Sequence, residues 1–175
     1  MAEELHHVVE FYSGIGGMHY ALKGCSFPCK VVAALEINTT SNFVYRQNFG
    51  STVLLQKKHR GAKKFSGLTV RDIDNLSADV FLMSPPCQPF TRLGLQAASK
   101  DPRTKSFLHI LDLLPKLSKP PDYILMENVK GFETSDTREH FLETLKSCGY
   151  SYQVIMKRLL LLLHSCFLQV FSTNT

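Results

Sequence analysis

The sequence predicts an α/β protein, a mostly parallel sheet with helices on both faces, and three observations predict it. Segments of strand character alternate with segments of helical character as far as Cys148. The strand segments are continuous apolar runs, such as Asp-Val-Phe-Leu-Met at 79–83, which marks strands buried on both faces. Glycines, prolines and carboxylates gather where those runs end, and in parallel sheets ligands bind beyond the carboxyl ends of the strands.

Taken in order, residues 8–12 (Val-Val-Glu-Phe-Tyr) predict a buried strand, followed by the turn Ser13-Gly14-Ile15-Gly16-Gly17 and a helix over 18–22. Residues 30–37 (Lys-Val-Val-Ala-Ala-Leu-Glu-Ile) predict the second strand, with Glu36 at its end. Residues 40–49 predict a helix with Phe43, Val44 and Phe49 on its buried face, ended by Gly50. The basic stretch 56–64 has no apolar period and predicts an exposed loop, and a short helix is expected within 68–76. The strand over 79–83 must stop at Ser84-Pro85-Pro86-Cys87-Gln88-Pro89, because proline removes ladder donors. Residues 94–104 are polar and predict a mobile loop. Residues 106–117 predict a helix with Phe107, Leu108, Leu111 and Leu114 inward, its end disturbed by Pro115. Tyr-Ile-Leu-Met at 123–126 predicts the fourth strand, ending at Glu127-Asn128. Ser135 caps a helix to about Cys148, with Phe141, Leu142 and Leu145 inward and Gly149 as its stop.

Composition narrows the function classes. The 175 residues suffice for one domain with a sizeable core, and 44% apolar against 20% charged residues excludes disorder of the whole chain. A net charge of +5 suits a polyanionic partner without requiring one. The five cysteines are odd in number and no basic-then-apolar leader opens the chain, so a reduced, intracellular protein is expected. Cys25 and Cys29 lack a second pair at zinc-site spacing, so no metal is expected. The leucine run at 159–163 is too short to span a bilayer, so no membrane anchor is expected.

Each cluster at a strand end has a chemistry and a competing plain reading. The Ser13–Gly17 turn lets backbone amides approach a ligand, or is a simple tight turn. Glu36, about twenty residues on, suits the ribose hydroxyls of a nucleoside cofactor, or is a surface carboxylate. The prolines around Cys87 hold a thiol rigidly, as a nucleophile needs, with Arg92 near enough in sequence to favour the thiolate; a structural cysteine in a proline turn competes. Glu127 in a partly desolvated pocket suits hydrogen bonding to a ring nitrogen, or pairs with Lys130. The 57–64 loop offers contacts to phosphates, or is solvated.

Together these motifs resemble the cytosine-C5 methyltransferase family. Glu10-Phe11-Tyr12-Ser13-Gly14-Ile15-Gly16-Gly17 resembles its first cofactor motif, Pro85-Pro86-Cys87-Gln88 its nucleophile motif and Glu127-Asn128-Val129 its base-binding motif, in the family's order and spacing. Ser-Gly-Ile-Gly-Gly-Met-His, Leu-Met-Ser-Pro-Pro-Cys-Gln-Pro-Phe-Thr-Arg, Ser-Phe-Leu-His-Ile-Leu-Asp and Glu-Asn-Val-Lys-Gly-Phe-Glu resemble the eukaryotic branch that modifies tRNA, with coverage over residues 8–153.

The resemblance implies a Rossmann-like S-adenosylmethionine-dependent methyltransferase fold. It also implies that Cys87 attacks C6 of a flipped-out cytosine while Glu127 holds N3. Tyr12, Gly14, Ile15, Gly16, Gly17 and Pro85 would line the cofactor, with Glu36 at the ribose and Ile37 at the adenine. Pro86, Arg92, Asn128 and Val129 would lie on the substrate side. The implied partner is tRNA, at an anticodon-loop cytosine of aspartate tRNA above all, with DNA as the alternative. The implied locations are cytoplasm and nucleus.

Two departures stand out. Ser66 occupies the place of the family's adenine-binding acid. Beyond residue 153 the expected arginine-bearing segment, target-recognition domain and last cofactor motif do not follow, so 1–153 reads as a catalytic part and 154–175 as a divergent apolar tail prone to aggregation. A catalytically inactive form that binds cofactor or nucleic acid is therefore the second expectation.

Overall fold

The computed structural model describes residues 5–50, 67–86, 102–129, 131–160 and 163–172, with side chains at 102–103, 156–160, 163–169 and 171–172 left aside. Residues 51–66, 87–101 and 130 lie outside the described residues, and with them the basic loop, Ser66, Cys87, Arg92 and Lys130.

The four predicted strands form and lie side by side. Strands β1 (His6–Phe11), β2 (Cys29–Leu35), β3 (Val80–Met83) and β4 (Tyr123–Val129) are mutually parallel. They share one sheet with β5 (Tyr150–Leu160) and β6 (Leu163–Ser172), in the order β2-β1-β3-β4-β6-β5. Phe11 lies opposite both Leu35 and Met83, and Met83 lies opposite Met126. The carboxyl ends of the first three strands are therefore level, and β4 runs three residues beyond them.

Helices cover both faces, as the two-sided apolar strands require. Helix α1 (Gly17–Lys23) sets Met18 and Leu22 against Val8, Val31, Val80 and Leu82. On the other face α3 (Val70–Asp74), α4 (Pro102–Leu113) and α5 (Asp136–Ser147) bring Ile73, Phe107, Leu111, Phe141 and Leu145 onto Val9, Phe11, Phe81, Met83 and Met126. Phe107 meets Phe141 edge-on at 5.4 Å, which joins α4 to α5. Caps start the helices where polar side chains reach back to free amides. Asn38 accepts from Thr40 and Ser41 at the start of α2 (Thr39–Phe49), Thr69 and Asp72 form a reciprocal box, and Ser135 accepts from Arg138.

Several expectations need correction. The buried face of α2 carries Asn42 and Tyr45, while Phe43 is 58% exposed, because both polar side chains find hydrogen-bond partners inside. Helix α4 begins at Pro102, inside the expected loop, since a proline in the first turn sacrifices no helical hydrogen bond. It gives way at Leu114–Lys116 to a 3₁₀ turn around Pro115. Strand β4 runs through Glu127-Asn128, its expected end, to Val129, because β6 pairs with it antiparallel from Tyr123↔Phe171 to Val129↔Ser165 and supplies backbone partners. Residues 150–160 and 163–172 are thus paired strands, and Val170 is buried. His6 and His7 open β1 half-buried, and His6 stacks on Phe27 at 4.7 Å.

Asp79 ties the opposite end of the sheet together. Its carboxylate accepts from the His7 amide at 2.7 Å and from Lys119 Nζ at 2.8 Å, and its carbonyl accepts from Asp122 and Tyr123. Burial raises the Asp79 pKa, but the Lys119 and His7 hydrogen bonds outweigh it and hold the carboxyl below its usual range. A depressed folded-state pKa contributes stability above the unfolded carboxylate pKa and loses it as pH falls through the folded value. Asp79→Ala should cost about 1–3 kcal/mol near neutral pH. Urea melts should show that difference shrinking toward zero in acid; a gap independent of pH would refute the ionic anchor.

Candidate active site

The glycine turn leaves β1 through an unusual backbone path. Tyr12, Gly14 and Gly16 all have positive φ, at 60°, 53° and 94°. The turn is pinned by Ser13 N–H to the Leu35 carbonyl at 3.1 Å and by Gly16 N–H to the Ser13 carbonyl at 2.9 Å. Its two faces differ. A Cβ on Gly16 would lie 2.2 Å from Phe49 Cε2, so that glycine is seated against α2. A Cβ on Gly14 or Gly17 would meet nothing within 4 Å. Ile15 beside them is 59% exposed. The turn thus presents bare backbone and an apolar side chain outward.

Glu36 stands at the end of β2, next to this turn. Its Oε2 accepts from Gly14 N–H at 3.0 Å, and its Oε1 accepts from Ile37 and Asn38 N–H at 2.7 and 2.8 Å. A carboxylate offers roughly four acceptor positions, so about one remains, on Oε2. One ribose hydroxyl fits there directly; two would require an amide to be released. Asn42, buried at 3% exposure, donates to the Glu36 carbonyl at 3.1 Å and fixes the strand end. Ile37 is 63% exposed beside it, an apolar surface suited to a flat ring. Donor set and open space together fit a nucleoside cofactor with an aliphatic tail.

Tyr12 sits differently from its neighbours. Its ring is buried in the core on the α4 face, and its hydroxyl donates to Ser106 Oγ at 3.1 Å. Burial pushes its phenol well above the usual range, so it stays protonated as a donor.

The Pro-Pro segment leaves β3 at the same sheet edge. Ser84 N–H bonds the Phe11 carbonyl at 3.2 Å, which joins the β3 exit to the β1 exit. Pro85 is buried and Pro86 half-buried. Asn128, 1% exposed on β4, donates through Nδ2 to the Pro85 carbonyl at 3.3 Å, and its Oδ1 accepts from Val129 N–H at 2.9 Å. Asn128 therefore holds the chain two residues before Cys87 rather than facing open space. Glu127 is half-buried and, by strand alternation, shares a face with Leu125, Leu82 and Glu10. Val129 is half-buried beyond it.

The structure gathers Gly14, Gly16, Gly17, Glu36, Ile37, Pro85, Pro86, Glu127 and Asn128 along one rim, where β1 is flanked by β2 and β3. Sequence reasoning passed over the roles of Asn42, Tyr45 and His19. Glu10 carried the one available signal: a carboxylate inside an apolar strand requires buried partners.

Comparison with known proteins agrees with this geometry. The profile of the C-5 cytosine-specific DNA methylases matches residues 6–163. The chain is 55% identical over 146 residues to the tRNA (cytosine(38)-C(5))-methyltransferase of Homo sapiens, which covers 83% of this chain and 36% of that protein. It is 46% identical over 149 residues to a DNA (cytosine-5)-methyltransferase of Dictyostelium discoideum, covering 83% of this chain and 38% of that one. The crystal structure of the S. pombe Dnmt2 methyltransferase superposes with a TM-score of 0.82 at 35% identity, over 98% of this chain and 51% of that chain. The chain thus spans little more than a third of the length of these curated relatives. The family match over residues 6–163 and the 55% identity over 146 residues place this chain in the C-5 cytosine-specific DNA methylase family.

Proposed function

We propose that the protein transfers a methyl group from S-adenosylmethionine to C5 of a cytosine in tRNA, in the anticodon loop and foremost in aspartate tRNA. The observation that carries this reading is the common rim of the open glycine turn, Glu36, the Pro85–Pro86 segment and Glu127. The cofactor supplies an electrophilic methyl group. Gly14 and Gly17 leave room for its methionine part, Glu36 accepts a ribose hydroxyl and Ile37 lies against the adenine, with Ser66 at the amino group. Cys87 adds to C6 of the flipped base, which makes C5 nucleophilic, and loss of the C5 proton later expels the thiolate. Glu127 hydrogen-bonds N3, with Arg92 and Val129 on the substrate side. A loop nucleotide is reached with less unstacking than a paired one, which favours RNA over duplex DNA. The setting is cytoplasm and nucleus.

Methyl transfer to aspartate tRNA and to duplex DNA tests the reading, with Cys87→Ala as control. Transfer to the tRNA alone, abolished in Cys87→Ala, is expected. Transfer to duplex DNA instead would move the substrate class, and transfer that survives Cys87→Ala would overturn the nucleophile. Calorimetric titration with S-adenosylhomocysteine checks the cofactor half separately. Absence of binding would mark this chain as lacking a complete pocket.

A further inference from the structure

Beneath the glycine turn lies a hydrogen-bonded chain that none of the roles above uses. Glu10, the penultimate residue of β1, is 1% exposed, and Tyr45 of α2 is fully buried. Tyr45 donates its hydroxyl proton to Glu10 Oε2 at 2.5 Å. His19 Nδ1 of α1 lies 2.7 Å from the same hydroxyl, and since that proton is already given to Glu10, Nδ1 is the donor. The His19 ring stacks on Phe49 at 3.9 Å and 8°, and Phe49 and Tyr45 are the rings on which Gly16 rests. One strand and two helices therefore meet at a single hydroxyl directly behind the turn. The Glu10 Oε1 atom has no hydrogen-bond partner among the described residues, which leaves Oε2 as the one tethered oxygen.

We propose that His19 and Tyr45 are positioning residues for the cofactor turn. Through Glu10 they fix how far α1 and α2 stand from β1, and so where the Phe49 and Tyr45 rings hold Gly16. The open face at Gly14 and Gly17 moves with Gly16, because one short turn connects them. This inference rests on residues 12–17 being the cofactor turn. Burial raises the Glu10 carboxyl, and burial with the neighbouring Lys23 charge lowers the His19 imidazole.

Two variants of the full-length chain separate the hydrogen bond from the ring. His19→Phe keeps the stack on Phe49 and removes the donor; His19→Asn loses the stack and keeps a donor near the Nδ1 position. S-adenosylhomocysteine affinity should fall about tenfold in His19→Phe, the worth of one net hydrogen bond, and return most of the way in His19→Asn. Exchange of the Gly14 and Gly16 amides should quicken and recover in the same order. If His19→Phe keeps full affinity while His19→Asn loses it, the ring alone matters and the proposal falls; it falls equally if neither variant changes either readout. If the unmodified chain binds no S-adenosylhomocysteine, the cofactor reading fails by itself, and amide exchange alone then upholds or overturns the positioning role.

Discussion

Gly16→Ala is expected to destabilise the protein by about 2–5 kcal/mol, from strain at positive φ and from overpacking. Both causes act at this position. Its φ of 94° is one that side chains rarely adopt, and the new methyl would lie 2.2 Å from Phe49 Cε2 and 3.0 Å from Tyr45 Cδ2. Relief requires Phe49 to move, yet that ring is stacked on His19 and packed at 4.8 Å against both Tyr45 and Tyr20. A loss of this size is a large share of the roughly 5–15 kcal/mol that holds a small domain together. Gly17→Ala makes the contrast. Its Cβ would meet nothing within 4 Å and its backbone is not left-handed. In the first position of α1, alanine should leave stability unchanged or raise it by about 0.4–1 kcal/mol. Yet it should weaken S-adenosylhomocysteine binding, because the methyl would occupy the open side. Thermal melts and calorimetry on the two variants test this; equal melting losses would mean the turn is not two-faced.

Asn128→Ala should slow methyl transfer about a hundredfold while leaving cofactor affinity nearly intact, since misplacing reacting groups by about an ångström has that effect. The amide ties β4 to the Pro85 carbonyl at 3.3 Å and satisfies the Val129 N–H at 2.9 Å. Alanine leaves a buried carbonyl and a part-buried amide without those partners, which costs about 1–3 kcal/mol for each group left unsatisfied. Asn128→Asp retains the acceptor for Val129 but loses the donor to Pro85. It should therefore share the rate defect with less loss of local order. Single-turnover kinetics with saturating cofactor read the effect, and an unchanged rate in both variants would remove Asn128 from the positioning of the Pro-Pro edge.

The sequence by itself determined the parallel core. Runs such as Val-Phe-Leu-Met and Tyr-Ile-Leu-Met leave few alternatives to buried strands, and glycine, proline and serine mark their limits by backbone chemistry that acts locally. It also placed Gly14, Glu36, Pro85 and Glu127 at strand ends, and a parallel sheet then brings such ends to one rim. What it left open depends on partners distant in the chain. The buried face of α2 was misread because Tyr45 and Asn42 are polar, and only the fold shows Glu10 and the Glu36 carbonyl waiting for them, 35 and 6 residues away. The length of β4 was set by β6, some forty residues later. Asn128, which the family resemblance puts on the substrate side, has its amide turned inward to a proline carbonyl 43 residues before it. Apolar periodicity is written along the chain, whereas the satisfaction of a buried polar atom is a property of whichever segments the topology brings against it.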